Sequence, residues 1–212
     1  FDLGAHVGDR TASFRRLGAR ALAVEPQPRL ARLLRLLFRA DPGVAVLATL
    51  VGAAEGEAEL HLNSANPTVA TASADFVAAA RDAEGWEGQR WDGTLRRPVT
   101  TLDALIARHG LPHFAKLDVE GYEAEALAGL SRPLRALSFE FTTIQRDVAR
   151  RCLQRLAALG PYRFNACLGE ETRFLFPRPR GAAEMTGWLD ALPQTANSGD
   201  IYASLEPGRL LP

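Results

Sequence analysis

The run Phe1-Asp2-Leu3-Gly4-Ala5-His6-Val7-Gly8, with Glu25 closing the next apolar stretch, most constrains what this chain can fold into. An apolar strand tail ends near an acid, turns on glycines and opens into a helix. A second strand then ends in another acid. That is the start of an α/β sheet with a nucleoside pocket beyond the carboxyl ends of its strands. Gly4 and Gly8 are expected to let the backbone pass close to a ligand. Glu25 can accept hydrogen bonds from two ribose hydroxyls. A dinucleotide site instead wants G-x-G-x-x-G, so that a helix N-terminus grips pyrophosphate. Here the glycines are four apart and Asp2 precedes them. An acid at that point repels phosphate and suits a cationic nucleoside that carries none.

A second group of signals lies a hundred residues on. Thr100-Thr101-Leu102-Asp103-Ala104-Leu105 leads into Lys116-Leu117-Asp118-Val119-Glu120-Gly121-Tyr122-Glu123. Taken with residues 2–8, with Val24-Glu25-Pro26 and with Val51-Gly52-Ala53-Ala54-Glu55-Gly56, this order resembles the FkbM-type methyltransferases. Their patterns run close to D-x-G-A-N-x-G, E-P, T-L-D and K-x-D-x-E-G-x-E. The resemblance spans about residues 1–140, with one departure: His6 stands where the family usually carries Asn. It implies a class I methyltransferase fold, Rossmann-like, with a mostly parallel seven-stranded sheet, helices on both faces and an insertion after the third strand. It also implies S-adenosylmethionine as donor and usually a hydroxyl oxygen as acceptor, without naming that acceptor among sugars, glycans, lipids and polyketides. The donor residues on this reading are Asp2, Gly4, Ala5, His6, Gly8, Glu25, Pro26, Ala53 and Asp118.

The chain has 212 residues, enough for one domain with a full sheet. Its 25 basic and 25 acidic residues give no net charge, so no global field favours nucleic acid. Cys152 and Cys167 form neither a C-x-x-C nor a zinc spacing and read as buried free thiols in a reducing cytoplasm. No apolar run is long enough for a membrane span, and no signal peptide is visible. A central strand needs several residues before its acidic end, so the first strand is expected to begin upstream of Phe1. Lys116 is the chain's single lysine, two residues before Asp118. Arginine's planar fork does not replace a compact ammonium in a tight site.

Strand and helix patterns alternate, as in a mostly parallel sheet. Strands are expected at 1–3, 21–25, 44–50, 114–119, 136–141, 162–167, 173–176 and 200–204. Helices are expected from Asp9 or Thr11 to Gly18, then at 28–39, 102–109, 122–130, 145–159 and 182–192. In the helix over 28–39, Leu30, Leu33, Leu34 and Leu37 share one face, opposite a solvated stripe of Arg29, Arg32, Arg35 and Arg39. Residues 57–62 alternate and predict an extra strand, paired in a hairpin with the third. Residues 63–98 break the rhythm, with a helical stretch near 74–83 and two tryptophans, Trp86 and Trp91. Such an insertion suits a substrate lid; equally, the tryptophans suit plain anchors.

In an open parallel sheet the ligand crevice lies where strand order reverses. Asp2, Gly4 and His6 should share it with Asp118, Glu120 and Gly121, and period two puts Lys116, Asp118 and Glu120 on one face. Methyl transfer from a sulfonium needs alignment of the acceptor oxygen and, at most, a base for its proton. The candidate catalytic residues are Lys116 with a lowered pKa, Asp118, Glu120 and His61, with His6 as a further base. A divalent cation is not favoured, because D-x-E-G lacks a diagnostic metal spacing; if one binds, Asp118, Glu120 and Glu140 are its ligands. His109 and His113 should lie at the far end of the sheet. A nicotinamide-dependent oxidoreductase shares the strand-turn-helix and Glu25, but not the glycine spacing. A catalytically silent S-adenosylmethionine-binding module would share the whole pocket.

Overall fold

Short apolar runs punctuated by glycine and proline become strands here, and the leucine- and arginine-rich stretches between them become helices. The computed structural model describes residues 1–169 and 171–211. In chain order it holds β1 (Asp2–Leu3), α1 (Asp9–Arg16), β2 (Ala21–Val24), α2 (Pro28–Leu37), β3 (Val44–Leu47), β4 (Leu50–Val51), β5 (Gly56–Leu62) and α3 (Ala74–Ala80). There follow β6 (Gly93–Thr100), α4 (Leu102–His109), β7 (Ala115–Leu117), α5 (Glu123–Ala128), β8 (Ala136–Thr142), α6 (Arg146–Leu159), β9 (Arg163–Leu168), α7 (Ala182–Ala191) and β10 (Ser198–Ser204).

The main sheet has seven strands in the order β3-β2-β1-β7-β8-β10-β9. Its pairs are parallel except those of β10, which runs antiparallel to both β8 and β9. Strand order reverses between β1 and β7, and the crevice opens there. All four residues of β2 are buried, as expected of a strand covered on both faces. Leu22 and Val24 join the large core under α4, α5, α6 and α7, while Ala23 packs with Ala5 and with Leu34 of α2. Leu37, at the end of α2, is 56% exposed and does not share the buried face with Leu34.

The expected elements hold except in four places. Residues 44–50 do not make one strand: the chain leaves the main sheet after Leu47, and the Thr49 hydroxyl donates to the Pro98 carbonyl at 2.8 Å. Leu50–Val51 then joins a second, three-stranded sheet in the order β4-β6-β5. The extra strand over 57–62 is real, but its antiparallel partner is β6, inside the expected insertion, and not the third strand. Residues 173–176 form no strand. The Asn165 side chain takes both main-chain groups of Phe176, donating at 2.8 Å and accepting at 3.1 Å, and so replaces a ladder. Finally, alternation stops at Leu117, because Glu120 has φ 54 and turns out of the strand.

The insertion sits at the carboxyl ends of the main strands. Val69, Phe76, Ala80 and Trp86 form a small core of their own, with Trp91 and Ile144 packed against it. The Phe76 ring meets Trp86 edge-on at 5.1 Å and Trp91 edge-on at 6.0 Å. Each indole N–H also has an acceptor, Asn197 Oδ1 for Trp86 and the Val69 carbonyl for Trp91. The tryptophans therefore anchor the segment, as buried indoles with a polar partner do. Cys152 and Cys167 are buried and free.

Candidate functional site

A cleft opens at the reversal point between β1 and β7. Leu3, Gly4, His6, Glu25, Pro26 and Gln27 form one wall, and Asp118, Glu120, Tyr122 and Glu140 form another. Thr68, Ala70 and Ala72 of the insertion reach in from above.

The first wall is built by backbone. The amides of Gly4 and Ala5 both donate to the Val24 carbonyl, which folds the turn after β1 over the end of β2. This sets the His6 amide to donate to Glu25 Oε2 at 2.9 Å, while the Gln27 amide donates to Oε1 at 2.9 Å. Glu25 is only 3% exposed, and burial pushes its carboxyl up to about 6 against the pull of these donors. Each oxygen keeps a lone pair free for a ligand. Gly4 is required for a reason other than ligand approach. At φ 83, a Cβ there would stand 1.7 Å from the Asp118 carbonyl oxygen, so glycine is what lets β1 and β7 meet. His6 has φ 47. Asparagine and histidine are both enriched in that left-handed region, which makes the exchange of Asn for His at this position physically mild.

The second wall is built by charge. Across the sheet, Lys116 pairs in register with Asp2 on one side and Ser138 on the other, and Asp200 stands opposite Glu140. Lys116, 5% exposed, donates to Asp200 Oδ1 at 2.8 Å and stands 3.1 Å from Asp118 Oδ2. Burial pulls the lysine's pKa down, but the carboxylates of Asp118, Asp200 and Glu140 outweigh it and hold the ammonium above its ordinary value. Glu123 accepts from the amides of Val119 and Gly121, and burial raises its carboxyl to about 7. For Glu120 and Glu140 burial comes first and neighbouring carboxylates second, and both groups are raised well above the usual range. The Thr71 hydroxyl donates to the Glu120 carbonyl at 2.6 Å, tying the insertion to this left-handed turn.

The cleft thus gathers Gly4, His6, Glu25, Pro26, Asp118 and Glu120 from the expected residues, together with Glu140. Others stand elsewhere. Asp2 is 1% exposed and lies beneath the turn, accepting from the Thr11 hydroxyl. Ala5 is buried against Ala23 and Leu34, and a Cβ on Gly8 would strike Leu34 and Phe38. Ala53 is exposed in the turn between β4 and β5, outside the cleft lining. His61 is also absent from the lining: on β5, Leu60 faces the cleft, so alternation turns His61 away. Lys116 is no base of lowered pKa, because its two carboxylate partners lock it as a cation. Asp200 and Gln27 were missed by sequence reasoning. Gln27 follows the Glu25-Pro26 pair directly, but nothing in the sequence links Asp200 to a lysine 84 residues earlier. His109 and His113 line a groove with Phe1 and Phe114, at the opposite end of the sheet as expected.

Residues 2–160 match the family model described as the methyltransferase FkbM domain. The fold is similar to the crystal structure of the methyltransferase FkbM from Methylobacillus flagellatus KT, with a TM-score of 0.56 and 14% identity over 95% of this chain. The match covers 42% of that chain, so the sequence spans less than half of its length. At such identity the likeness concerns the fold alone. No curated protein matches.

Proposed function

The chain belongs to the FkbM methyltransferase family, and from that membership we propose that it moves a methyl group from S-adenosylmethionine to a hydroxyl oxygen on a small molecule, sugar or glycan. The observation that carries the donor assignment is Glu25: a buried carboxylate, fixed by two backbone amides, with its remaining lone pairs on the cleft. Two adjacent ribose hydroxyls are the natural partners of such a group. The rest of the lining fits the same ligand. Asp118 and the other acids suit an ammonium and a sulfonium, and the glycine turn lacks the pattern of a pyrophosphate grip. Family membership leaves the nicotinamide reading without support.

When bound, the donor supplies an electrophilic methyl on a sulfonium and leaves as a neutral thioether, so the chain need provide no acid. It provides position. Glu25 anchors one end of the cleft, Asp118 orients the ligand's polar end, and Lys116 holds Asp118 in place. Alignment of this kind accounts for up to about 7–11 kcal/mol of a barrier in favourable cases. Asp118, Glu120 and Glu140 face the acceptor side and either take the hydroxyl proton or polarise the oxygen that carries it. Residues 63–98 cover that side as a cap.

Calorimetry with S-adenosylhomocysteine tests the donor site. Glu25→Ala removes two charge-assisted hydrogen bonds, each worth roughly 1.5–3 kcal/mol, and affinity should drop at least about a hundredfold while the chain stays folded. Unchanged affinity would sink the assignment. A mass search for methylated products in extracts supplied with the protein then identifies the acceptor.

A further inference from the structure

We propose that Asp118, Glu120 and Glu140 form a binding site for one hard divalent cation, with the Gln145 side-chain oxygen as a further donor beside them. One carboxylate oxygen of each acid lies within 4.8 Å of the others. Two oxygens on opposite sides of a calcium ion, each at about 2.4 Å, stand about 4.8 Å apart, and a smaller ion draws them closer. The three acids come from the end of β7, from the left-handed turn after it and from β8, which is why no local spacing announces them.

Positive charge is short at this place. Lys116 is committed to Asp200 and Asp118, and among the described residues no hydrogen bond or ion pair reaches the carboxylate of Glu120 or Glu140. Two facing carboxylates without a donor repel each other unless a proton or a cation is held between them. Gln145 stands beside Glu140 and is an independent sign. It is 7% exposed, and its Oε1 is buried without a donor among the described residues. That oxygen presses on Gly121, where an added Cβ would stand 2.4 Å from it. It also shares with Glu140 and Glu123 a small enclosed void, with room for about one water molecule. An unpaired carbonyl oxygen in the void beside Glu140, one of the three acids, adds a neutral oxygen to a donor set that is all oxygen. No sulfur or imidazole enters it, which selects magnesium, manganese or calcium over zinc.

In the cleft such an ion polarises the acceptor hydroxyl, and the acceptors it favours offer two neighbouring oxygens, as vicinal diols and hydroxy acids do. This role rests on the methyl-transfer reading; the binding itself does not. Manganese titration followed by electron paramagnetic resonance reads the site directly in the chain as it stands. One ion per chain should bind, magnesium should displace it, and Glu140→Gln and Glu120→Gln should each weaken it at least about tenfold. Magnesium should also raise the melting temperature of the parent chain and not of Glu140→Gln. The glutamine variants relieve repulsion and should fold, and Glu125→Gln at an exposed ion pair serves as control. No saturable binding, or binding that survives both glutamine variants, overturns the site. Donor affinity measured on the same sample separates the two proposals: cation binding without donor binding rejects the donor assignment alone, and the converse rejects the cation site alone.

Discussion

Glu25 and Glu140 are both glutamates at the carboxyl end of a central strand, both line the same cleft, and their surroundings differ completely. Glu25 receives a backbone amide on each oxygen. Glu140 faces Asp118 and Glu120 with no donor from the described residues. One wall of the cleft is complete in itself, since the main chain has already paired its acid. The other is an excess of acid around one lysine. A preorganised carboxylate suits a constant ligand, as the proposed donor is, because its geometry costs nothing to assemble at binding. An underpaired acidic group suits a site that acquires a cation or proton as part of its work.

Removing Lys116 should break the contrast most severely. Lys116→Met leaves the buried Asp200 and the half-buried Asp118 without their counter-charge, and we expect a loss of about 3–5 kcal/mol in denaturant unfolding. Asp200→Asn in the same chain should recover part of it. If Lys116→Met unfolds at the parent's midpoint, the acidic wall is not held by this pair. Lys116→Arg keeps the charge but not the compact head. It should preserve the fold and donor affinity while losing most turnover, read by initial rates once an acceptor is known.

Titration separates the walls with a smaller effect. Glu25 titrates near 6 in the folded chain, above roughly 4.3 for an unfolded glutamate. The fold therefore favours its protonated form. Its contribution to stability is full below about pH 4.3 and is lost as pH rises through 6, about 2 kcal/mol in all. Comparing the pH dependence of unfolding in the parent and Glu25→Gln isolates this. Under the proposed donor assignment, affinity should run the opposite way, because the carboxylate would be the group that accepts the ribose bonds. Below pH 6 it should fall by up to about tenfold per pH unit, and a flat profile would remove Glu25 from the donor site.

The smallest expected effect is at the joint between the insertion and the acidic wall. Thr71→Val deletes the hydrogen bond to the Glu120 carbonyl and the acceptor for the Ser73 amide. About 0.5–1.5 kcal/mol of stability should be lost. Donor affinity should hold within about twofold, since the Glu25 wall is untouched. A large drop in donor affinity would show that the two walls are coupled through Glu120.

The two walls also differed in how far the sequence revealed them. Everything around Glu25 is local: glycines in a turn, an acid at a strand end, a proline after it. Short-range geometry dictates those, and the chain displays them in order. The acidic wall depends on register between strands that are far apart in the chain. Asp200 meets Lys116 only because β10 slots in beside β8, and Glu120 joins Asp118 through a left-handed turn that alternation cannot foresee. The same limit explains β5. Its alternation was readable, while its partner β6 was hidden in a segment that seemed irregular. His61 followed that error, because its facing depends on which side of β5 meets the cleft.

The place of β10 bears on how the chain comes into being. The FkbM match ends at residue 160, yet the strand that completes the sheet spans Ser198–Ser204 and lies between two strands made before it. At about 5–20 residues per second, Asp200 leaves the ribosome roughly 4–17 s after Lys116. Throughout that interval the lysine lacks its nearer partner, and once they have emerged β8 carries an open edge and β9 has no neighbour to pair with. Open edges of this kind are where growing chains pair wrongly. Synthesis runs from one end to the other, but the last strand made fills a place inside the sheet, between two strands already present.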